Sequence, residues 1–137
     1  QDIGDSVNTR VQFNTELFDT ANAYDNSSNY RFNPQTSGKY FAYTSCVGFT
    51  STGDYSNFRY IAPEIRKNGT RIVHSIFDLQ LNSHRQGTAV IFTVVSMNGS
   101  SDYLDVFCEI NAINGTGILR GDESKTRFGA FKLVEWV

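Results

Sequence analysis

Thr88-Ala89-Val90-Ile91-Phe92-Thr93-Val94-Val95-Ser96-Met97 reads as one β-strand with two apolar faces. A strand sends successive side chains to opposite sides. Val90, Phe92 and Val94 therefore share one face, and Ala89, Ile91, Val95 and Met97 share the other. Antiparallel sheets commonly leave one face to water, so this strand needs an outer cover from a loop or another subunit. The next run, Tyr103 to Ala112, supplies the contrast. Leu104, Val106, Cys108, Ile110 and Ala112 alternate with Tyr103, Asp105, Phe107, Glu109 and Asn111, which predicts a half-buried strand with Cys108 facing the core. Tyr103 and Phe107 stand out as aromatics on its otherwise polar side. Tyr40 to Thr50 repeats the first pattern, with Phe41, Tyr43, Val47 and Phe49 on one face and Tyr40, Ala42 and Cys46 on the other. These two doubly apolar strands are the candidates for an interface. Upstream, Val11, Phe13, Thr15 and Leu17 alternate with polar residues and predict a half-buried strand over Thr9 to Leu17.

Clusters of Gly, Asn, Ser and Thr recur roughly every ten residues between such runs, without internal repeats, which predicts an all-β sandwich. Asn68-Gly69 and Asn98-Gly99 each predict a type I′ hairpin, because both central residues of that turn need positive φ. Asn114-Gly115-Thr116-Gly117 predicts a further turn. Pro63 cannot donate a ladder hydrogen bond, so the strand Phe58 to Lys67 is expected at an edge or with a bulge. Phe128 to Val137 suits a terminal strand, and no segment carries a convincing helical period.

The chain has 137 residues, a formal net charge of -2 and 19% charged residues, the size of one domain and without a basic field for nucleic acid. Its longest apolar run, Ala89 to Val95, is broken by Thr93 and falls far short of the roughly 20 residues that cross a bilayer, so a soluble chain without membrane insertion is expected. It opens at Gln1 without an initiating Met or hydrophobic leader, as a processed or trimmed chain would, which leaves an upstream stalk or anchor open. Cys46 and Cys108 are too few for a disulfide framework and lack zinc spacing. Two buried thiols or one bridge remain the alternatives.

Four segments, in order, resemble the C1q/TNF-like superfamily, particularly the variants of bacteriophage and bacterial fibre proteins. They are Phe13-Asn14-Thr15-Glu16 with Phe18-Asp19-Thr20 and Tyr24-Asp25; Phe32-Asn33-Pro34 with Gly38-Lys39-Tyr40-Phe41; Ile65-Arg66-Lys67-Asn68-Gly69; and Phe128-Gly129-Ala130-Phe131-Lys132-Leu133. They span residues 11 to 134. Ala42 stands where the animal pattern has a second aromatic, and the short Phe32 to Pro34 spacing is nearer the phage-like variants. The resemblance implies a ten-stranded antiparallel jelly roll over residues 1–137, core 9–136, assembling as a compact homotrimer with recognition loops at its apex or flank. Phe41, Tyr43, Phe92, Val94, Tyr103 and Phe107 are the expected interface residues.

No catalytic constellation is present. His74 and His84 fit no zinc or catalytic spacing, no serine occupies a Gly-x-Ser-x-Gly elbow, and the glycines open no phosphate-binding helix. Asp102 with Asp105, or Asp122 with Glu123, offer oxygens of the kind calcium takes, but without an array of ligands no metal or cofactor is assigned. Arg120-Gly121-Asp122 spells the adhesion tripeptide in an expected loop. Asn26, Asn68, Asn98 and Asn114 open sequons, three of which are also Asn-Gly turns.

The expected function is a trimeric, non-catalytic recognition head on a phage or extracellular fibre, binding a cell-surface glycan or protein. Its contact loops would be Tyr24 to Tyr30 and Tyr55 to Tyr60, since Tyr gives large contact area at low entropy cost. The same tyrosines would otherwise close the ends of the sandwich. The alternatives are a structural virion component docked on other virion proteins and a secreted animal C1q-like ligand. The location is accordingly the virion or the extracellular space.

Overall fold

The computed structural model describes residues 1–52, 56–122 and 124–134; Tyr55, Glu123 and residues 135–137 lie outside them. The described residues form β-strands, turns and loops without a helix, and every strand pairing is antiparallel.

The first sheet is built on β5 (Gly38–Thr50). One edge of β5 pairs along its length with β9 (Gln86–Met97). The other edge is shared between β12 (Arg127–Lys132) and β11 (Gly117–Leu119), and β1 (Asp2–Gly4) pairs with β11. Between β11 and β12 the Thr126 hydroxyl bonds the Val47 backbone, and Arg120 N–H donates to Val47 C=O at 2.9 Å.

The second sheet is built on β10 (Leu104–Ala112) and β6 (Phe58–Lys67). Beyond β10 lie β2 (Thr9–Arg10), β4 (Arg31–Phe32) and β3 (Tyr24–Asp25); beyond β6 lie β7 (Thr70–His74) and β8 (Phe77–Asp78). The described residues hold twelve β segments and not the expected ten; β11 and β12 share one edge of β5, β7 and β8 one edge of β6, and β2 and β4 one edge of β10.

The core lies between the sheets. Tyr40, Ala42 and Cys46 from β5 and Ala89, Ile91 and Met97 from β9 meet Ile61 and Ile65 from β6 and Leu104, Val106, Cys108 and Ile110 from β10. Thr44 also points inward, and its hydroxyl donates to Arg127 C=O at 3.0 Å, so its burial leaves no orphan. Cys46 and Cys108 are both free thiols, buried from opposite sheets. Ile3 is only 3% exposed and joins this core, which therefore begins before residue 9.

Three local expectations change and one holds. The Thr9–Leu17 strand shrinks to Thr9–Arg10 plus a buried Val11; Leu17 is 63% exposed because the chain leaves the sheet there. The strand with Pro63 is interior and not an edge, although it carries the irregularity expected as the alternative, a register shift between Ile65 and Arg66. Pro63 C=O accepts from Ser75 N–H at 3.2 Å, so its missing donor faces the break between β7 and β8, where no strand asks for it. Asn68-Gly69 forms the expected hairpin, with φ of 51° and 82°. Asn98-Gly99 instead crosses from one sheet to the other: the Asn98 carboxamide oxygen accepts from the N–H groups of Ser100, Ser101 and Asp102, folding a wider Asx-type loop.

Candidate functional site

Two surfaces separate on opposite faces of the sandwich. On the outer face of the first sheet, the period of two turns Phe41 and Tyr43 of β5 and Val90, Phe92 and Val94 of β9 away from the core. Register places Phe41 beside Val94 and Phe131, and Tyr43 beside Phe92 and Gly129. The Phe41 ring lies 5.8 Å from Phe92, stacked, and 5.3 Å from Phe131. Gly129 matters here because a Cβ at that position would sit 2.5 Å from the Tyr43 ring; only glycine lets Tyr43 lie across β12. Phe92 is 64% exposed, Val90 59%, Val94 55% and Phe131 54%. Lys39 and Ser96 bound this patch at one end, and Thr88 and Gln86 at the other. An apolar centre with a polar rim is the anatomy of an interface.

Four of the six expected interface residues, Phe41, Tyr43, Phe92 and Val94, thus come together. Tyr103 and Phe107 do not join them: they lie on the outer face of the second sheet and are covered by arginines of the same chain. The Arg31 guanidinium sits 4.0 Å over Tyr103, and Arg66 and Arg10 lie 3.8 and 5.2 Å from Phe107. Carboxylates hold these cations. Arg10 bonds Asp105 at 3.1 Å, and Glu64, with a buried side chain, accepts from both Arg66 and Arg71. Burial works to raise the Glu64 pKa, but bonds from Arg66 and Asn8, then Arg71, outweigh it and hold the carboxyl below its ordinary value.

The expected contact tyrosines divide between the ends of the second sheet. Tyr24 pairs with Phe32, itself opposite Leu104, whereas Tyr60 pairs with Asn111. Seven residues of strand separate these levels, about 24 Å. Tyr24 packs its ring 6.0 Å from Phe128, and burial, then the nearby Asp25, pushes its phenol well above the ordinary value. Burial and a hydrogen bond to Glu109 push Tyr60 up to about 12. Tyr24 packs against the core, whereas Tyr60 stands on the outer side of β6 with its hydroxyl on Glu109. Tyr30 is held at a φ of 51°, in the left-handed region that aromatic residues rarely adopt. Tyr55 lies outside the described residues.

Beside Tyr24, an open polar groove of about 440 Å³ runs along the β3–β4 edge, lined by Asn22, Asp25, Asn29, Arg31, Gln35 and Tyr103 among others. Its walls are fixed. Asp25 accepts from the N–H groups of Ser27, Ser28 and Asn29, and those bonds hold its carboxyl well below the ordinary carboxylate range. Asp102 ties the β6–β7 hairpin to its own β9–β10 loop, bonding Lys67 at 2.8 Å, the Asn68 carboxamide at 2.7 Å and Asn98 N–H at 2.9 Å, while its C=O accepts from the Asn33 carboxamide of the groove wall at 2.7 Å.

Several of the singled-out motifs are engaged within the chain, and Glu123 of the Asp122 and Glu123 pair lies outside the described residues. Asp102 and Asp105 each face protein cations and do not share a site, and among the described residues no group of His, Cys, Asp and Glu is arranged to hold a metal. In the adhesion tripeptide, Arg120 lies 4.5 Å over Phe49, while Asp122 bonds Ser124 and Lys125. Both charges are engaged within the chain. His74 and His84 are exposed residues near β6, His84 forming a single bridge to Phe58. Of the sequon asparagines, Asn68 and Asn98 use their carboxamides in loop bonds.

No protein-family model matches the chain, and no curated protein matches it in sequence. Among solved structures it is similar to the Eiger TNF of S. frugiperda, with a TM-score of 0.54 and 12% identity over 79% of this chain and 67% of that one. At that identity the likeness carries the fold and not the residues. The chain is an all-β, antiparallel sandwich of the TNF-like kind, and the phage-type character expected within that group has no counterpart in this neighbour.

Proposed function

We propose that this chain is a non-catalytic, homotrimeric recognition head that works outside the cell, its copies meeting through the outer face of the first sheet. The observation that carries the reading is the exposed cluster of Phe92, Val94 and Phe131, gathered on one sheet around the half-buried Phe41 ring and rimmed by polar residues. A single copy has no use for such a surface in water. A TNF-like fold and the family resemblance suit a trimer closed around this face. The second sheet, sealed by its arginine and carboxylate lattice, then points outward with its loops. Three copies give avidity, so weak single contacts suffice for cell-surface recognition. A fibre would be one way to carry such a head.

Light scattering coupled to size exclusion tests the reading. A mass near three chains that persists on dilution is the expected result. A monomer with a cooperative melt at every concentration overturns it.

A further inference from the structure

We infer that the groove beside β3 and β4 is a binding site for a carboxylate-bearing saccharide, with the Arg31 guanidinium as its anion anchor. The inference deepens the recognition-head reading and rests on it, since it names the ligand class such a head would take.

Arg31 differs from its neighbours on the second sheet. Arg10, Arg66 and Arg71 each donate to a buried carboxylate. Arg31 approaches Asp105 only to 3.7 Å, and its buried Nε has no hydrogen-bond partner among the described residues. Asp105 is already bonded to Arg10 at 3.1 Å, so one carboxylate serves two guanidiniums, and the other groove carboxylate, Asp25, is turned onto the donors of its own loop. Stacking on Tyr103 fixes the plane of the Arg31 guanidinium. Its side chain is 31% exposed, and the residue lines the groove. A planar, oriented and part-exposed guanidinium is the group that recognises a carboxylate through paired hydrogen bonds.

The rest of the groove suits hydroxyl groups. The Asn22 side chain is exposed and makes no bond to the protein, at a φ of 49°. Gln35 and Asn29 use their amide nitrogens within the loops, Gln35 on Asn33 and Asn29 on Asp25, which leaves their carbonyl oxygens as acceptors. The lining carries the carboxamides of Asn22, Asn29, Asn33 and Gln35, groups that exchange hydrogen bonds with sugar hydroxyls, which favours a sugar over an acidic peptide. The Asp25 and Asp102 bonding networks hold the walls in place before a ligand arrives, which lowers the ordering loss on binding. In the proposed trimer the groove faces away from the apolar patch and remains open in all three copies.

Saturation-transfer NMR on the full chain is the test, with N-acetylneuraminic acid, glucuronic acid and N-acetylglucosamine as probes. Saturable signals from the two acidic sugars and none from the neutral one are expected. Arg31→Gln should weaken them at least about tenfold, the loss of a charge-assisted pair. Asn22→Asp adds a negative charge at an exposed position whose left-handed backbone aspartate tolerates. It should weaken the acidic sugars without altering the melt, and so remains informative if Arg31→Gln misfolds. Silence from both acidic sugars, equal response to the neutral sugar, unchanged binding in Asn22→Asp or in folded Arg31→Gln, or an equal signal from acetyl-aspartyl-glycine overturns the inference. Binding is read per chain and mass separately, so a trimer that ignores acidic sugars defeats this inference alone.

Discussion

Replacing Phe92 with aspartate should dissolve the assembly while leaving each chain folded. Phe92 is 64% exposed in the single chain, which on a phenylalanine surface of roughly 200 Å² is about 130 Å². Covering that area contributes about 3 kcal/mol per copy at roughly 25 cal/mol/Å², or about 10 kcal/mol over three copies. Every 1.4 kcal/mol is tenfold, so the trimer constant falls by about seven orders of magnitude. That constant scales with concentration squared, so the concentration at which trimers come apart rises by roughly three orders. The carboxylate adds a desolvation penalty, making this a lower bound for a fully covered site. Light scattering on Phe92→Asp over a dilution series reads the shift. Phe18→Asp is the control, because Phe18 is also exposed, at 84%, but belongs to no strand of the first sheet. The dissociated chain should still melt cooperatively, since Phe92 points out of its own core, but at a lower temperature than the assembled protein because the interface no longer adds to its stability. If Phe92→Asp holds the same mass at the same concentrations, or if Phe18→Asp falls apart equally, the reasoning fails.

Two further outcomes follow from the buried groups. The folded-state pKa of Glu64 is depressed, so its contribution to stability is complete above the unfolded carboxyl value and is lost as pH falls through the folded one. Glu64→Gln should therefore flatten the acid limb of a urea-midpoint profile below about pH 4.3, and Glu64→Ala should cost about 2 to 3 kcal/mol near neutral pH. That is the low side for breaking a buried pair, because Arg66 and Arg71 both reach solvent. An unchanged acid limb in Glu64→Gln would contradict the ion-pair account. Iodoacetamide at pH 8 should modify neither Cys46 nor Cys108 until the chain is unfolded; both are buried, and the neighbouring Cys46 thiol together with burial pushes the Cys108 pKa up. Rapid alkylation of the native chain would contradict the core placement.

What the sequence disclosed was what a period of two can carry. Ala89, Ile91 and Met97 face inward as read, Val90, Phe92 and Val94 face outward, and Cys108 joins the core. Tyr40 to Thr50 resisted assignment because both of its faces hold aromatics; Thr44, buried through its bond to Arg127, marks the inner one. Thr9 to Leu17 kept the alternation after its chain had left the sheet, since periodicity reports what a segment can do and not where its partner strand ends. Asn98-Gly99 has hairpin composition, but its side chain captures three backbone donors and converts the turn into a crossing. The covers of Tyr103 and Phe107 were invisible for another reason. Arg10 lies 95 residues from its Asp105 partner, and such pairings carry no local signature. The groove joins Asn22, Arg31 and Tyr103, three residues that only the assembled β3, β4 and β10 bring together.

The most direct test of the central claim is residue-resolved carbene footprinting of the native protein in solution. If copies meet on the first sheet, Phe92 and Phe131 should label weakly despite their exposure in one chain, whereas Phe18 and Leu81, 84% and 97% exposed, should label strongly. Equal labelling of Phe92 and Leu81 would mean that the aromatic face is bare in solution and that the account of this protein as a self-assembled head is wrong.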